Sequence, residues 1–195
     1  MTGAGSLGVL SAPRLETERL ILRVPRRGDF EPHAEVLMSD RARFIGGPMR
    51  LGAAWRDFAA DVGGWALLGY GGFAIEAKTP QAFGDASYLG MIFLHHPAHF
   101  PEREIGWLTV PAAEGTGAAF EAAATVRLWA ARTLGGPALV SYIAAGNARS
   151  IALAERMGAR RDPHAPVPDF GNDSADDDGV WRHPDPRTLI EEAAA

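Results

Sequence analysis

Gly115 and Gly117 flank Thr116 where an extended stretch gives way to a helical one, and Ala118 and Ala119 follow. A helix start leaves its first N–H groups without intrahelical acceptors. The positive end of the helix dipole adds to them, making a cradle for a phosphate or pyrophosphate. Glycine suits such a cradle because a Cβ would block close approach and because some of the backbone angles disfavour other residues. The same spacing also fits a helix start packed tightly on a neighbour. It is neither a G-x-x-x-x-G-K-[ST] phosphate loop nor the G-x-G-x-x-G dinucleotide fingerprint.

Four further groups carry chemistry. Glu104 opens the strand before the glycine loop, and a half-buried carboxylate can have its pKa raised toward neutrality. Its other reading is a surface charge balanced by Arg103. His95 and His96 follow the central strand as a second base candidate, against the plainer reading of solvated loop histidines beside Pro97. His95, His96 and His99 match no zinc-ligand spacing, so no metal is expected. Asn147 is placed to cap the last major helix. Glu121 in a first helical turn is favourable by itself, and Trp65, Trp107 and Trp129 read as core.

The elements that must position these residues follow from periodicity. Arg19 to Val24 reads as a strand with Leu20, Leu22 and Val24 on one side and Arg19 and Arg23 flanking. Asp29 starts a short helix, and a second runs from Leu51 to Val62, stopped by Gly63 and Gly64. Strands at 72–77, 88–94 and 103–108 form the centre. A helix from Gly117 to Leu134, a strand at 138–143, a helix at 147–157 and a strand at 179–183 complete the order. These predict an α/β (α+β) chain: a mixed, mostly antiparallel sheet with helices on both faces.

The chain has 195 residues, enough for one domain with a single core. The domain is placed at residues 14–184, after a flexible lead-in at 1–13 and before a tail at 185–195. Net charge is −5, which argues against general nucleic-acid binding. The acidic run from Asp169 to Asp178 is a solvated loop on one reading and an attractor of cationic substrate on the other. No apolar run approaches the ~20 residues of a membrane span, and the N-terminus has no export-signal pattern. These favour the cytoplasm. There is no cysteine, which excludes a disulfide framework and a thiolate nucleophile.

The stretch EIGWLTVPAAEGTGAAFEAA, followed by LVSYIAAGNARSIALAERMGA, is similar to the GNAT superfamily. Within it the chain resembles the branch of ribosomal-protein N-terminal acetyltransferases (RimJ/RimL-type). The first motif stands as Gly115 to Ala122, and the second as Asn147, Ser150, Glu155 and Gly158. The opening LETERLILR and closing VWRHP extend the likeness to residues 14–184. The resemblance implies a GNAT fold, with a V-shaped splay between the strand through Leu108, Thr109 and Val110 and the strand from Leu139 to Ile143. It implies acetyl-CoA as co-substrate. The backbone of Gly115, Thr116, Gly117, Ala118 and Ala119 would hold its pyrophosphate, and Asn147 and Ser150 would meet the pantetheine arm. Backbone N–H groups near Leu108 would polarise the thioester carbonyl. Glu104 and Ser150 are the implied catalytic residues.

Three positions depart from the family pattern: Ala112 for a common Arg or Gln, Ala118 for an aromatic, and Ala154 for a tyrosine acid. The implied reaction is direct attack by a primary amine, either a protein N-terminal α-amine or a small molecule. An acyl-CoA sensor of the same fold that does not turn over is the alternative. The partners are then acetyl-CoA and the amine, with no nucleic acid and no membrane, in a monomer or homodimer.

Overall fold

The computed structural model describes residues 13–168 and 178–194. The lead-in, except Pro13, and the acidic run, except Asp178, lie outside the described residues. The chain runs β1 (Leu15–Glu16), β2 (Leu20–Arg23), α1 (Phe30–Leu37), α2 (Leu51–Leu68), β3 (Phe73–Ala77), β4 (Tyr88–His95), β5 (Glu104–Thr109), α3 (Ala118–Thr133), β6 (Val140–Ala144), α4 (Ala148–Arg156), β7 (Arg160–Arg161), β8 (Asp178–Arg182) and α5 (Pro186–Glu192). The eight strands among the described residues form one sheet in the order β1-β2-β3-β4-β5-β6-β8-β7. Every neighbouring pair is antiparallel except β5 and β6. The mixed, mostly antiparallel sheet expected from the sequence is therefore what forms, with helices on both faces.

The faces follow from the pleat, since alternate side chains point to opposite sides. On β4, Phe93 meets His33 of α1, and His95 meets Asp61 of α2. Ile92 points the other way beside its register partner Phe73, whose ring packs edge-on against Trp129 of α3. The core runs through both layers and includes Leu20, Leu22, Phe73, Ile75, Met91, Ile92 and Val126, all fully buried.

Three details differ from the sequence expectation. Helix α2 does not stop at Gly63 and Gly64 but continues to Leu68, closing on the left-handed Gly69. A Cβ on Gly64 would meet the Tyr70 carbonyl oxygen at 3.0 Å, so that glycine admits the returning chain rather than breaking the helix. Arg23 does not flank a surface strand. It is buried in a two-pronged pair with Asp29, at 2.7 and 2.9 Å. Residues 186–192, within the stretch read as a tail, form α5, which packs on α3.

Two histidines are buried. His33 shares a hydrogen bond with the Tyr88 hydroxyl at 2.8 Å, and burial pushes its pKa down to about 4. His183 is pushed down to about 3 by burial and by the Arg127 charge. Between the unfolded value near 6.5 and these depressed values, the unfolded chain binds more protons than the folded one. Stability is therefore present above pH 6.5 and lost as pH falls toward 4, by on the order of 3 kcal/mol per ring. Urea midpoints measured from pH 7 to 4.5 should fall, and fall less steeply in His33→Leu. An unchanged slope in that variant would mean that His33 is already protonated in the fold.

Candidate active site

The glycine loop is built as its residue types require. After β5, Pro111–Ala113 forms a single 3-10 turn. Gly115 and Gly117 then take left-handed backbone at φ 72° and 80°, and α3 begins. The first α-type bond closes from Glu121 N–H to Gly117 O at 3.1 Å. The N–H groups of Ala118, Ala119 and Phe120 precede it, and Ala118 N–H is turned to the Thr116 hydroxyl at 3.3 Å. That hydroxyl donates to Ala113 O at 2.7 Å, which braces the loop. A Cβ at Gly115 would meet nothing within 4 Å. The left-handed backbone, not crowding by neighbours, is what calls for glycine there.

Arg19 anchors the loop from below. Its Nη1 donates to Thr116 O at 3.0 Å and its Nε to Glu121 Oε2 at 2.8 Å. Burial opposes charge on Glu121, but hydrogen bonds from Thr17 and Arg19 hold its carboxyl below the usual range. Glu121 is thus a structural anchor. Ala112 supplies no cation, yet positive charge stands at the loop from elsewhere. Glu114 accepts from Arg41, which follows α1, and from Arg149 of α4 at 2.9 Å.

The sheet opens beside this loop. β5 and β6 run parallel but pair at a single position, Glu104↔Val140. Beyond it, side chains stand where a ladder would continue. Ser141 Oγ donates to Ile105 O, and Tyr142 N–H donates to Glu104 Oε1 at 3.2 Å. The neutral His183 ring holds Ser141 at 3.0 Å and lies 3.4 Å from Arg127. A chain of polar contacts from α3 therefore reaches a β5 carbonyl and keeps the strands apart.

Alternation along β5 decides which of its amides face the opening. Val110 N–H donates to Leu89 O at 3.0 Å, so with period two Leu108 N–H also faces β4. Thr109 and Trp107 then turn their N–H groups toward β6. Val110 O accepts from Ala113 N–H, so both backbone groups of Val110 are engaged within the protein.

On α4, Asn147 is the N-cap, its side chain accepting from Ser150 N–H at 3.3 Å. The Ser150 hydroxyl receives Trp107 Nε1–H at 3.3 Å, which brings it to the flank of β5. Ala154 is fully buried against Ile143, Ala159 and Trp181. Trp107 and Trp129 pack against the core, and Trp65 is within it.

Glu104 is not a surface charge. It is 9% exposed, and Arg103 turns away to the Tyr70 ring and the Gly135 carbonyl. The cross-strand partner of Glu104 is His95, whose Nε2 lies 2.7 Å from Glu104 Oε2. The two base candidates read separately from the sequence thus form one unit, while His96 is exposed. Asp61 of α2 completes it, with Oδ1 at 3.5 Å from His95 Nδ1. Burial works against charge on His95, but the bonds to Asp61 and Glu104 outweigh it and hold the pKa up to about 10. The ring is an imidazolium at neutral pH. Asp61, fully enclosed, is pushed upward by burial. Sequence reading did not single out Asp61, and its one available signal is a carboxylate in the buried helical stripe Ala54, Phe58, Asp61, Trp65.

A sheet split between two parallel strands, with a glycine loop at the next helix start, is the arrangement that the likeness to acetyltransferases led one to expect. Comparison with known proteins agrees. Residues 19–160 match the family model for the acetyltransferase (GNAT) domain, and the chain belongs to that family. The crystal structure of an acetyltransferase from Agrobacterium tumefaciens is 38% identical, with a TM-score of 0.80 over 89% of this chain and 95% of that one. A GNAT-family acetyltransferase from Bacillus anthracis is 20% identical, with a TM-score of 0.67 over 90% and 99%. RimL, a ribosomal L7/L12 alpha-N-protein acetyltransferase in complex with coenzyme A, is 13% identical, with a TM-score of 0.66 over 88% and 97%. The protein is an acetyl-CoA-dependent N-acetyltransferase. No helix among the described residues is long and apolar enough to cross a membrane.

Proposed function

We propose that the protein transfers an acetyl group to a primary amine by direct attack, the acceptor being an α-amine of a protein N-terminus or of a small molecule. The observation that carries this is the β5–β6 split with Glu104 at its closed end. The residues present fit acetyl-CoA. Gly115, Gly117 and the first α3 amides suit a pyrophosphate, with Arg41 and Arg149 adding positive charge beside them. Thr109 and Trp107 N–H groups suit the pantetheine arm and the thioester oxygen, and Asn147 and Ser150 line the α4 side.

When bound, acetyl-CoA supplies an activated acyl carbon. The amine nitrogen attacks that carbon, the C–N bond forms, the C–S bond breaks, and the thiolate leaves as coenzyme A. Glu104 takes the amine proton. The N–H donors on β5 meet the charge that develops on the carbonyl oxygen, a contribution that is commonly large. With Ala154 where relatives carry a tyrosine, the thiolate leaves unprotonated or with the Ser150 hydroxyl nearby. A thiol pKa near ~8–9 makes that tolerable.

The acceptor class follows from protonation. At pH 7 about a tenth of an α-amine is unprotonated, against less than about a thousandth of a lysine amine. A site with one paired carboxylate as base suits the former. The test is acetyl transfer to three acceptors: a peptide with a free N-terminus, the same peptide N-terminally blocked with one internal lysine, and free amino acids. Transfer to the first or third with little to the second is expected. Efficient lysine transfer with none to α-amines would overturn the α-amine reading. Acetyl-CoA binding without turnover on any amine would favour a sensor.

A further inference from the structure

We propose that Asp61 is a positioning residue of this site: from the buried face of α2 it orients His95, and His95 in turn pins the Glu104 carboxylate that receives the acceptor's proton. The inference rests on the reading of Glu104 as base.

The arrangement is hard to explain as stabilisation. Asp61 occupies a slot in the α2 stripe Ala54, Phe58, Asp61, Trp65 that would otherwise take an apolar side chain, and it is 6% exposed. A carboxylate moved from water into such a slot loses hydration, and replacing a buried ion pair by apolar groups of similar volume is often neutral or favourable. What the slot provides is direction. Asp61 O also accepts Gly72 N–H at 3.1 Å, which ties the interior of α2 to the turn before β3. The side chain therefore projects from a point tied to the sheet.

His95 is held by two rings and two carboxylates. Phe93 stacks on it, with ring planes 14° apart and centroids at 6.0 Å, and Phe100 meets it edge-on at 5.4 Å. Asp61 takes one ring nitrogen and Glu104 the other. The ionisable groups around the ring are Asp61 and, one turn earlier, the exposed Asp57 from α2, and Glu104 from β5; His99 lies behind the Phe100 ring. Glu104 is gripped at both oxygens, by His95 at Oε2 and by Tyr142 N–H at Oε1. Its remaining lone pairs have a single orientation in which to meet an amine. Without Asp61 the imidazole loses one of the two carboxylates that hold its charge and its angle, and misplacement by ~1 Å at a reacting centre can cost about 10²-fold in rate.

The experiment compares wild type with Asp61→Asn, Asp61→Leu, His95→Gln and His95→Phe. Acetyl-CoA binding is followed by thermal shift, turnover by kcat and KM, and His95 protonation by NMR titration with labelled histidine. All four variants should bind acetyl-CoA as wild type does. Asp61→Leu and His95→Phe should lose about 10²-fold in kcat with the acetyl-CoA KM unchanged. His95→Gln, which still offers Glu104 an N–H, should recover most of that loss. In Asp61→Asn the His95 titration should move from near 10 toward neutrality. Unchanged His95 titration and kcat in both Asp61 variants would overturn the proposal, as would equal losses in His95→Gln and His95→Phe. The titration reads the Asp61–His95 pair without turnover. A wild type that neither binds acetyl-CoA nor transfers acetyl would therefore sink the reading of Glu104 separately.

Discussion

Gly117→Trp should abolish the rise in melting temperature that acetyl-CoA gives the wild type. At about 100 times its dissociation constant, a ligand that binds only the folded state adds roughly 2.7 kcal/mol. For a domain of this size that is on the order of 5–10 °C. The loop that should earn this rise is made of backbone. Gly117 stands at φ 80° as the first helical bond closes onto its carbonyl. A side chain there is strained in itself, and its Cβ would lie 3.6 Å from Arg19 Nη2. An indole would therefore occupy the space above the loop or dislodge the Arg19 brace. The unliganded variant will melt lower than wild type, so the comparison is between the two ligand-induced shifts. A full shift in the variant would take the pyrophosphate away from this loop, and no shift in a well-folded wild type would undo the cofactor assignment altogether.

Glu104→Gln should lower kcat by about 10²- to 10⁴-fold, the usual range for loss of a general base, while the acetyl-CoA shift stays intact. The carboxamide is nearly the same size and can still accept Tyr142 N–H; its NH2 then faces the His95 ring nitrogen, so the intact acetyl-CoA shift is the check that the β5–β6 split keeps its shape. What disappears is the capacity to hold a proton taken from the amine. Glu104→Ala is the less informative change, because it also strips Tyr142 N–H of its acceptor and so mixes chemistry with architecture. If kcat in Glu104→Gln stayed within a few-fold of wild type, the proton would have to leave by another route, with water the first candidate.

Much of this could be read from residue patterns, and the reasons are local. The loop is legible because Gly115 and Gly117 act through backbone angles that glycine alone adopts readily, so cause and residue coincide in the chain. Strands β3 to β5 were legible from short apolar runs bounded by turns. The end of helix α2 is not legible in the chain because Gly63 and Gly64 look alike there, yet Gly64 answers to the Tyr70 carbonyl passing beside it, a neighbour that helical periodicity does not reveal. The Asp61–His95–Glu104 unit was hidden for a related reason. His95 and Glu104 meet by cross-strand register and Asp61 reaches them from a helix on the same face, and neither relation leaves a spacing in the chain. The backbone duties on β5 were out of reach as well, since the difference between Leu108 and Thr109 depends on where the ladder with β4 is in phase.

The single register pair between β5 and β6 divides the sheet into a five-stranded block and a three-stranded block. The seam between them has little of the main-chain cohesion that holds the other strands together. Local opening in proteins follows such seams, so the two blocks can breathe against each other at lower cost than either can unravel. A cofactor lying in the split would act as a missing ninth strand, knitting the blocks into one cooperative unit and releasing them as coenzyme A departs.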